Sequence, residues 1–133
     1  MDNPRFPHTL QVLRARRVDG RIQLTAKGDP IYDVLPLDKV ETIDGSPIRK
    51  DGQFVTTPVE TLNFGYRTDT MNTKEMGDVI SLNLKLSCPM FLTELLYDDV
   101  VVLTDYERTF RTRVVKKATH NWGTNIWVDE IRN

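Results

Sequence analysis

Turn-forming pairs interrupt this sequence so often that little between them is long enough for a typical helix. Asp19-Gly20, Gly28-Asp29-Pro30, Asp44-Gly45, Asp51-Gly52, Gly77-Asp78 and Trp122-Gly123 punctuate the chain. Asp-Gly pairs suit hairpin turns because glycine accepts positive φ freely and aspartate accepts it better than most residues. The intervening segments therefore read as strands. The length of 133 residues fits one domain, residues 1–133. Such a chain buries roughly two thirds of its unfolded surface, enough for one modest core. The predicted fold class is all-β: a small β-barrel or sandwich of about six to eight antiparallel strands, with a long projecting loop and at most one short helix.

The clearest strand is Val79–Cys88. Ile80, Leu82, Leu84, Leu86 and Cys88 are apolar and alternate with Ser81, Asn83, Lys85 and Ser87. Period two puts one face in a core and the other toward water or a partner. Leu10–Val18 reads as the first strand, with Leu13 and Ala15 on one parity and Val12, Arg14 and Arg16 on the other. Ile31–Leu37 is broken by Pro36, which implies an edge or a bend. Val100–Asp105 is β-branched and nearly all apolar, as suits a strand inside the sheet. Thr109–Thr119 and Asn125–Ile131 flank a turn at His120–Thr124 and form the last hairpin. Phe91–Tyr97, after Pro89, carries helix-like apolar spacing for one or two turns. Thr42–Asp78 is polar and charge-mixed, a long loop or a projecting hairpin with Gln53–Thr57 paired to Thr61–Tyr66 across Pro58.

Hydrophobic residues make up 39% and the net charge is −1, which excludes the disordered class. Near neutrality also argues against a partner recruited by bulk charge, whether free nucleic acid or an anionic membrane. One cysteine, Cys88, allows no internal disulfide framework. The opening MDNPRFPHTL lacks the apolar run of a signal peptide, and no stretch approaches the ~20 apolar residues of a membrane span. The expectation is cytoplasmic synthesis without export and no membrane partner.

No catalytic constellation is visible, and the expectation is a protein that is no enzyme and needs no cofactor. His8 and His120 have no cysteine or carboxylate at ligand spacing, so no metal site is expected. Cys88 follows the apolar parity of its strand and reads as a small buried hydrophobe, because a nucleophile needs a lowered pKa and a partner base. Adjacent strand residues face opposite ways, so Asp98 and Asp99 cannot converge on one bond, and they read as a solvated turn entering the next strand. Glycine-rich phosphate cradles are absent. Trp122 and Trp127 could stack on bases or sugars, but a strand tryptophan more often serves core or interface.

Charge is segregated although it nearly cancels. Arg14, Arg16, Arg17 and Arg21 cluster early, and Arg108, Arg111, Arg113, Lys116 and Lys117 late. Against them stand Asp29, Asp33, Asp38, Glu41 and Asp44, then Glu94, Asp98, Asp99, Asp105 and Glu107. These are either solvated strand faces, or the two sides of a bipolar surface through which copies meet head to tail and close a ring, or arginine strands facing nucleic acid. The subunit-interface candidates are Arg14, Arg16, Arg108, Arg111, Arg113, Asp33, Asp38, Asp98, Asp99 and Trp127.

Several segments together resemble the head–tail joining (connector or stopper) proteins of tailed bacteriophages. They are Phe6-Pro7-His8-Thr9-Leu10 running into Val18-Asp19-Gly20, then Ile48-Arg49-Lys50-Asp51-Gly52, then Asp99-Val100-Val101-Val102, and the closing Asn121–Glu130. Where the family usually carries Gly-Asp before its fifth strand, this chain has Asp98-Asp99. The resemblance implies a small β-barrel of the virion neck, made in the bacterial host cytoplasm and assembled as a ring of six or twelve. Its partners would be the portal or a portal-side adaptor above, a tail-side ring or tail tube protein below, and DNA passing through the channel without sequence-specific contact. A loop after the second strand would project into that channel and help retain DNA. Here that loop is 42–78, with channel candidates Arg49, Lys50, Phe54, Tyr66, Arg67 and Lys74. Two other roles stay open. One is another small virion part, such as a tail-completion, tail-terminator or baseplate-hub protein, and the other a nucleic-acid-binding small barrel.

Overall fold

The computed structural model describes residues 6–69, 83–106, 108–120 and 122–131. The principal strands are β1 (His8–Ala15), β2 (Tyr32–Val34), β3 (Leu37–Val40), β4 (Thr56–Val59), β5 (Leu62–Asp69), β6 (Asn83–Cys88), β7 (Val100–Asp105), β8 (Arg108–His120) and β9 (Gly123–Glu130). Six of them form a closed antiparallel barrel in the order β5-β6-β9-β8-β7-β1, with β1 returning to β5 through His8↔Phe64, Thr9↔Asn63 and Leu10↔Leu62. The second half of β1 pairs with β2 instead, from Leu13↔Val34 to Ala15↔Tyr32. That makes β2 the outer edge of the sheet.

Alternation builds the interior. Leu10 and Val12 of β1, Leu62 and Phe64 of β5, Leu84, Leu86 and Cys88 of β6, Val101 and Leu103 of β7, Val114 of β8, and Ile126 and Val128 of β9 are all buried in one cluster. A barrel this narrow is filled by side chains and leaves no pore. The even parity of β1 faces inward, so Leu13 and Ala15 lie outside. Val100–Asp105 sits between β8 and β1, inside the sheet as its composition indicated. Ile31–Leu37 is split at Pro36 into edge strand β2 and the start of β3.

Three expectations need correction. Phe91–Tyr97 is not helical. Its backbone is held by β3, where Val40 N–H donates to the Met90 carbonyl (2.9 Å) and Leu92 N–H to the Asp38 carbonyl (3.0 Å). Phe91 is thereby drawn fully into the core, while Leu92 and Leu96 stay exposed. The apolar spacing there serves an extended segment. Second, Gln53–Thr57 does not pair with Thr61–Tyr66: β4 pairs with β3, and β5 belongs to the barrel wall. The stretch 42–78 divides accordingly. Residues 42–54 make two small ladders, Thr42–Ile43 with Ser46–Pro47 and Arg49–Lys50 with Gln53–Phe54, ahead of the β4 and β5 strands. Residues 70–78 lie outside the described ones. Third, Asp99 is buried and does not lie in a solvated turn.

Asp-Gly pairs turn both the second of these ladders and the Arg17–Val18/Arg21–Ile22 ribbon, with positive φ at both residues (Asp51 53°, Gly52 81°; Asp19 52°, Gly20 79°). That is the two-residue hairpin geometry the dipeptide favours.

Candidate interaction surface

Some of the segregated charges meet within the chain. Arg14, on the inward parity of β1, reaches the barrel end, where its guanidinium binds Asp99 in a two-pronged pair (Nε–Oδ1 3.1 Å, Nη2–Oδ2 2.8 Å) and donates to the Glu94 carbonyl at 3.1 Å. The same Asp99 carboxylate accepts the Leu96 N–H at 2.8 Å. This hydrogen bonding raises the Arg14 pKa above its ordinary value although burial opposes it. Arg16 forms a second two-pronged pair with Asp33 on exposed ground, and its hydrogen bond holds the Asp33 carboxyl below its usual range. Arg113 approaches Asp98 at 3.4 Å, and Arg108 binds Asp105 at 3.0 Å. Asp98 is exposed and Asp99 buried, and the two diverge because Asp98 stands in a turn with φ 79° just ahead of the strand.

The remaining interface candidates are spread out. Arg111 lies over the Tyr32 ring at 5.3 Å, and Asp38 is exposed beside β4. Trp127 lies on the outer face of β9 between two register partners, Lys85 of β6 and Lys116 of β8. Their ammonium groups stand 5.5 and 4.9 Å from its ring, and neither lysine has an ion pair among the described residues. Of the channel candidates, Arg49 stacks over Phe54 at 4.1 Å across the second small ladder, with Lys50 beside it. Tyr66 and Arg67 sit in the barrel strand β5, opposite Leu86 and Lys85. Lys74 lies outside the described residues.

The structure brings Arg14, Arg113, Asp98 and Asp99 together at one place, a cleft of about 300 Å³ between the barrel's outer wall and the Arg17–Ile22 ribbon. Its apolar lining, Ile22, Tyr32, Leu96, Tyr97 and Ile131, went unmarked in the sequence. The exposed Tyr97 and Leu96 read there as helix, and nothing local linked residues some 75 positions apart.

Little else in the described residues offers chemistry. Burial pushes the Cys88 thiol up to about 12, and it donates to the Thr124 carbonyl at 3.3 Å. Lys117 donates to the Thr93 carbonyl and stands 4.6 Å from the Phe91 ring. Burial lowers its pKa. His8 lies buried against the rings of Phe64 and Tyr106, and His120 stacks on Trp122 at 4.5 Å. Among the described residues no three His, Cys, Asp or Glu side chains converge as a metal site. No family model, curated protein or solved structure matches the chain.

Proposed function

We propose that this chain is a non-catalytic structural protein of a phage neck, one subunit of a ring that joins the portal side of the head to the tail and helps retain packaged DNA. One observation carries the reading. The segments that resemble head–tail connectors fall on one closed antiparallel barrel and its appended ribbons: Val18-Asp19-Gly20 at a ribbon tip, Ile48–Gly52 on a second ribbon, Val100–Val102 on β7 and Gly123–Glu130 on β9. A closed barrel has no sheet edge along its wall, so contact with neighbours falls to side chains and to the appended ribbons. Of the described part of 42–78, the ribbon 42–54 lies outside the β4 and β5 strands and would be the arm that reaches a channel.

Immunogold labelling of virions with antibodies to the chain tests this, with label expected at the head–tail junction. Deleting its gene should leave DNA-filled heads without tails. Label on the tail tip, or normal particles after deletion, would sink the reading. The lysine pair around Trp127 favours a second reading, a nucleic-acid-binding barrel. That reading requires DNA retention by the isolated chain with a steep salt dependence.

A further inference from the structure

We propose that the outer wall of β6, β9 and β8 binds single-stranded nucleic acid, with one base stacked on Trp127 and the next held in a pocket beside Trp122. This goes beyond the neck reading and deepens the nucleic-acid reading, on which it rests. The first observation is a row of residues across the wall. Arg67, Lys85, Trp127 and Lys116 stand opposite one another on β5, β6, β9 and β8 in turn. Ile126 and Val128 are buried in the core, so Trp127 points outward. The ammonium groups of Lys85 and Lys116 flank its ring, and neither has an ion pair among the described residues. A bulge makes this row. In unbroken register Val115 would follow Val114 and face Trp127, but the extra residue brings Lys116 there instead. A base stacked on the indole carries its phosphates to those ammonium groups.

The second observation is a pocket of about 200 Å³ on the same face, lined by Phe6, Trp122, Ser87 and Asn125. Trp122 is 71% exposed and has His120 stacked on its ring. Asn125 is only 6% exposed, and its amide oxygen accepts the Ser87 hydroxyl at 3.2 Å. The amide N–H2 of Asn125 has no partner among the described residues, which leaves a donor at the pocket for a base carbonyl. Asn125 lies two residues before Trp127 on the same parity, a step of about 7 Å along β9. That step is comparable to one nucleotide of an extended strand.

The third observation selects the occupant by charge. The row that holds the pocket residues, Gly65, Ser87, Asn125 and Ala118, is uncharged. The row on the other side of Trp127 is Asp69, Asn83, Asp129 and Arg113, and its arginine already approaches Asp98. Phosphates are therefore drawn to the lysines from the neutral side and repelled from the acidic one. A single strand fits that narrow band and offers bare base faces to both tryptophans. A duplex hides its base faces and lays phosphates over the acidic row as well, and an acidic peptide brings no base to fill the pocket.

The probe is a dye-labelled oligothymidylate of about ten nucleotides, mixed with the full chain and followed by fluorescence anisotropy. Saturable binding is expected, falling about tenfold between 50 and 200 mM salt, as roughly two or three phosphate contacts require. The matching duplex and polyglutamate should not saturate. Trp127→Ala and Trp122→Ala should each weaken binding about tenfold, and Trp127→Phe, which keeps a ring to stack on, should restore most of it. Lys85→Gln with Lys116→Gln should flatten the salt dependence. All these side chains lie on the outer wall, so melting temperatures near the parent's check that the variants fold. No saturable binding by the parent chain would overturn the nucleic-acid reading and this site together. Full affinity in Trp127→Ala, an unchanged salt slope in the double lysine variant, or equal binding of the duplex would overturn the site while leaving that reading in place.

Discussion

At the scale of single residues, some of the opposite charges, which the sequence left open as solvated faces, a bipolar surface or a nucleic-acid face, pair with each other within the chain. Arg14 and Asp99 are 85 positions apart, and only barrel closure brings them together. The sequence could show that both signs were present, but it could not show that they cancel each other. Their weights differ with burial. Asp99 is 4% exposed and holds both Arg14 and the Leu96 N–H, whereas Asp33 and Arg16 are each about half exposed. Asp99→Asn should therefore cost about 2–3 kcal/mol in urea unfolding, as charge-assisted bonds in partly dry surroundings do. Asp33→Asn should cost far less than that, because water screens an exposed pair. Equal losses would show that Asp99 is not the anchor of the barrel end. Cys88 behaved as its strand parity indicated, and it carries a signed pH effect. Its folded pKa is raised from 9.0 to about 12, so the folded state keeps the proton longer. That contribution to stability is complete below the unfolded value of 9.0 and is lost as pH rises toward 12. Lys117 works the other way, since its lowered pKa adds stability as pH climbs toward its unfolded value of 10.5. Comparison with Cys88→Ala isolates the thiol: the stability difference, parent minus variant, should shrink steadily above about pH 9. A thiol reagent should modify Cys88 only after unfolding.

Elements were legible where one periodicity ran unbroken and one face was buried. Leu84 and Leu86 alternate with Lys85 and Ser87 and point inward as read, so Leu84→Ala should cost roughly 2–5 kcal/mol. A loss below about 0.5 kcal/mol would contradict the parity of β6. The last hairpin was legible too, but its register was not. A bulge at Val115 lets Val114 face Val128 and Lys116 face Trp127, which reverses the parity of β8 and turns Lys117 inward over Phe91. One inserted residue leaves no mark in a sequence already mixed in polarity. Phe91–Tyr97 misled for a related reason: short apolar spacing fits a helix turn or a strand with one inward anchor, and the competing partner, β3, lies some fifty residues earlier. The turn that ends β8 is fixed more tightly. Gly123 has φ +155°, and a Cβ there would stand 2.9 Å from the Cys88 carbonyl oxygen. Gly123→Ala should thus lose about 2 kcal/mol or more, since β6 and β9 must part to admit the methyl group. At Gly45, with φ +82° and open space around it, the same change meets backbone strain alone and should cost about 1 kcal/mol. Thermal melts of the two variants separate close packing from strain, and a larger loss at Gly45 would invert the account.

For the molecule as a whole, the sequence disclosed the class of architecture and the existence of appended polar structure, but not where the barrel stops and the appendage begins. Leu62 and Phe64 mark the difficulty: they lie in a stretch that reads as loop, and both are fully enclosed by β1 and β6. Removing all of 42–78 would therefore strip a barrel strand. The hydrogen bonds show a smaller cut. Glu41 N–H donates to the Val55 carbonyl at 2.8 Å, directly beyond the β3–β4 pair Val40↔Thr56, so the two ends of the ribbon 42–54 already stand side by side. Replacing residues 42–54 with Asn-Gly would close β3 and β4 as an ordinary two-residue hairpin, since that dipeptide matches the twist of the strands. None of the core cluster lies in 42–54, and Ile43 is 63% exposed, so the cut removes no buried apolar contact. The shortened chain should melt within roughly 2–4 °C of the parent, equivalent to less than about 1 kcal/mol. If the ribbon is the arm that reaches the channel, the same chain should still be found at the head–tail junction while heads lose DNA or fail to join tails. A folded, incorporated chain that restores normal particles would separate the barrel from that role and assign the joining function to the wall itself.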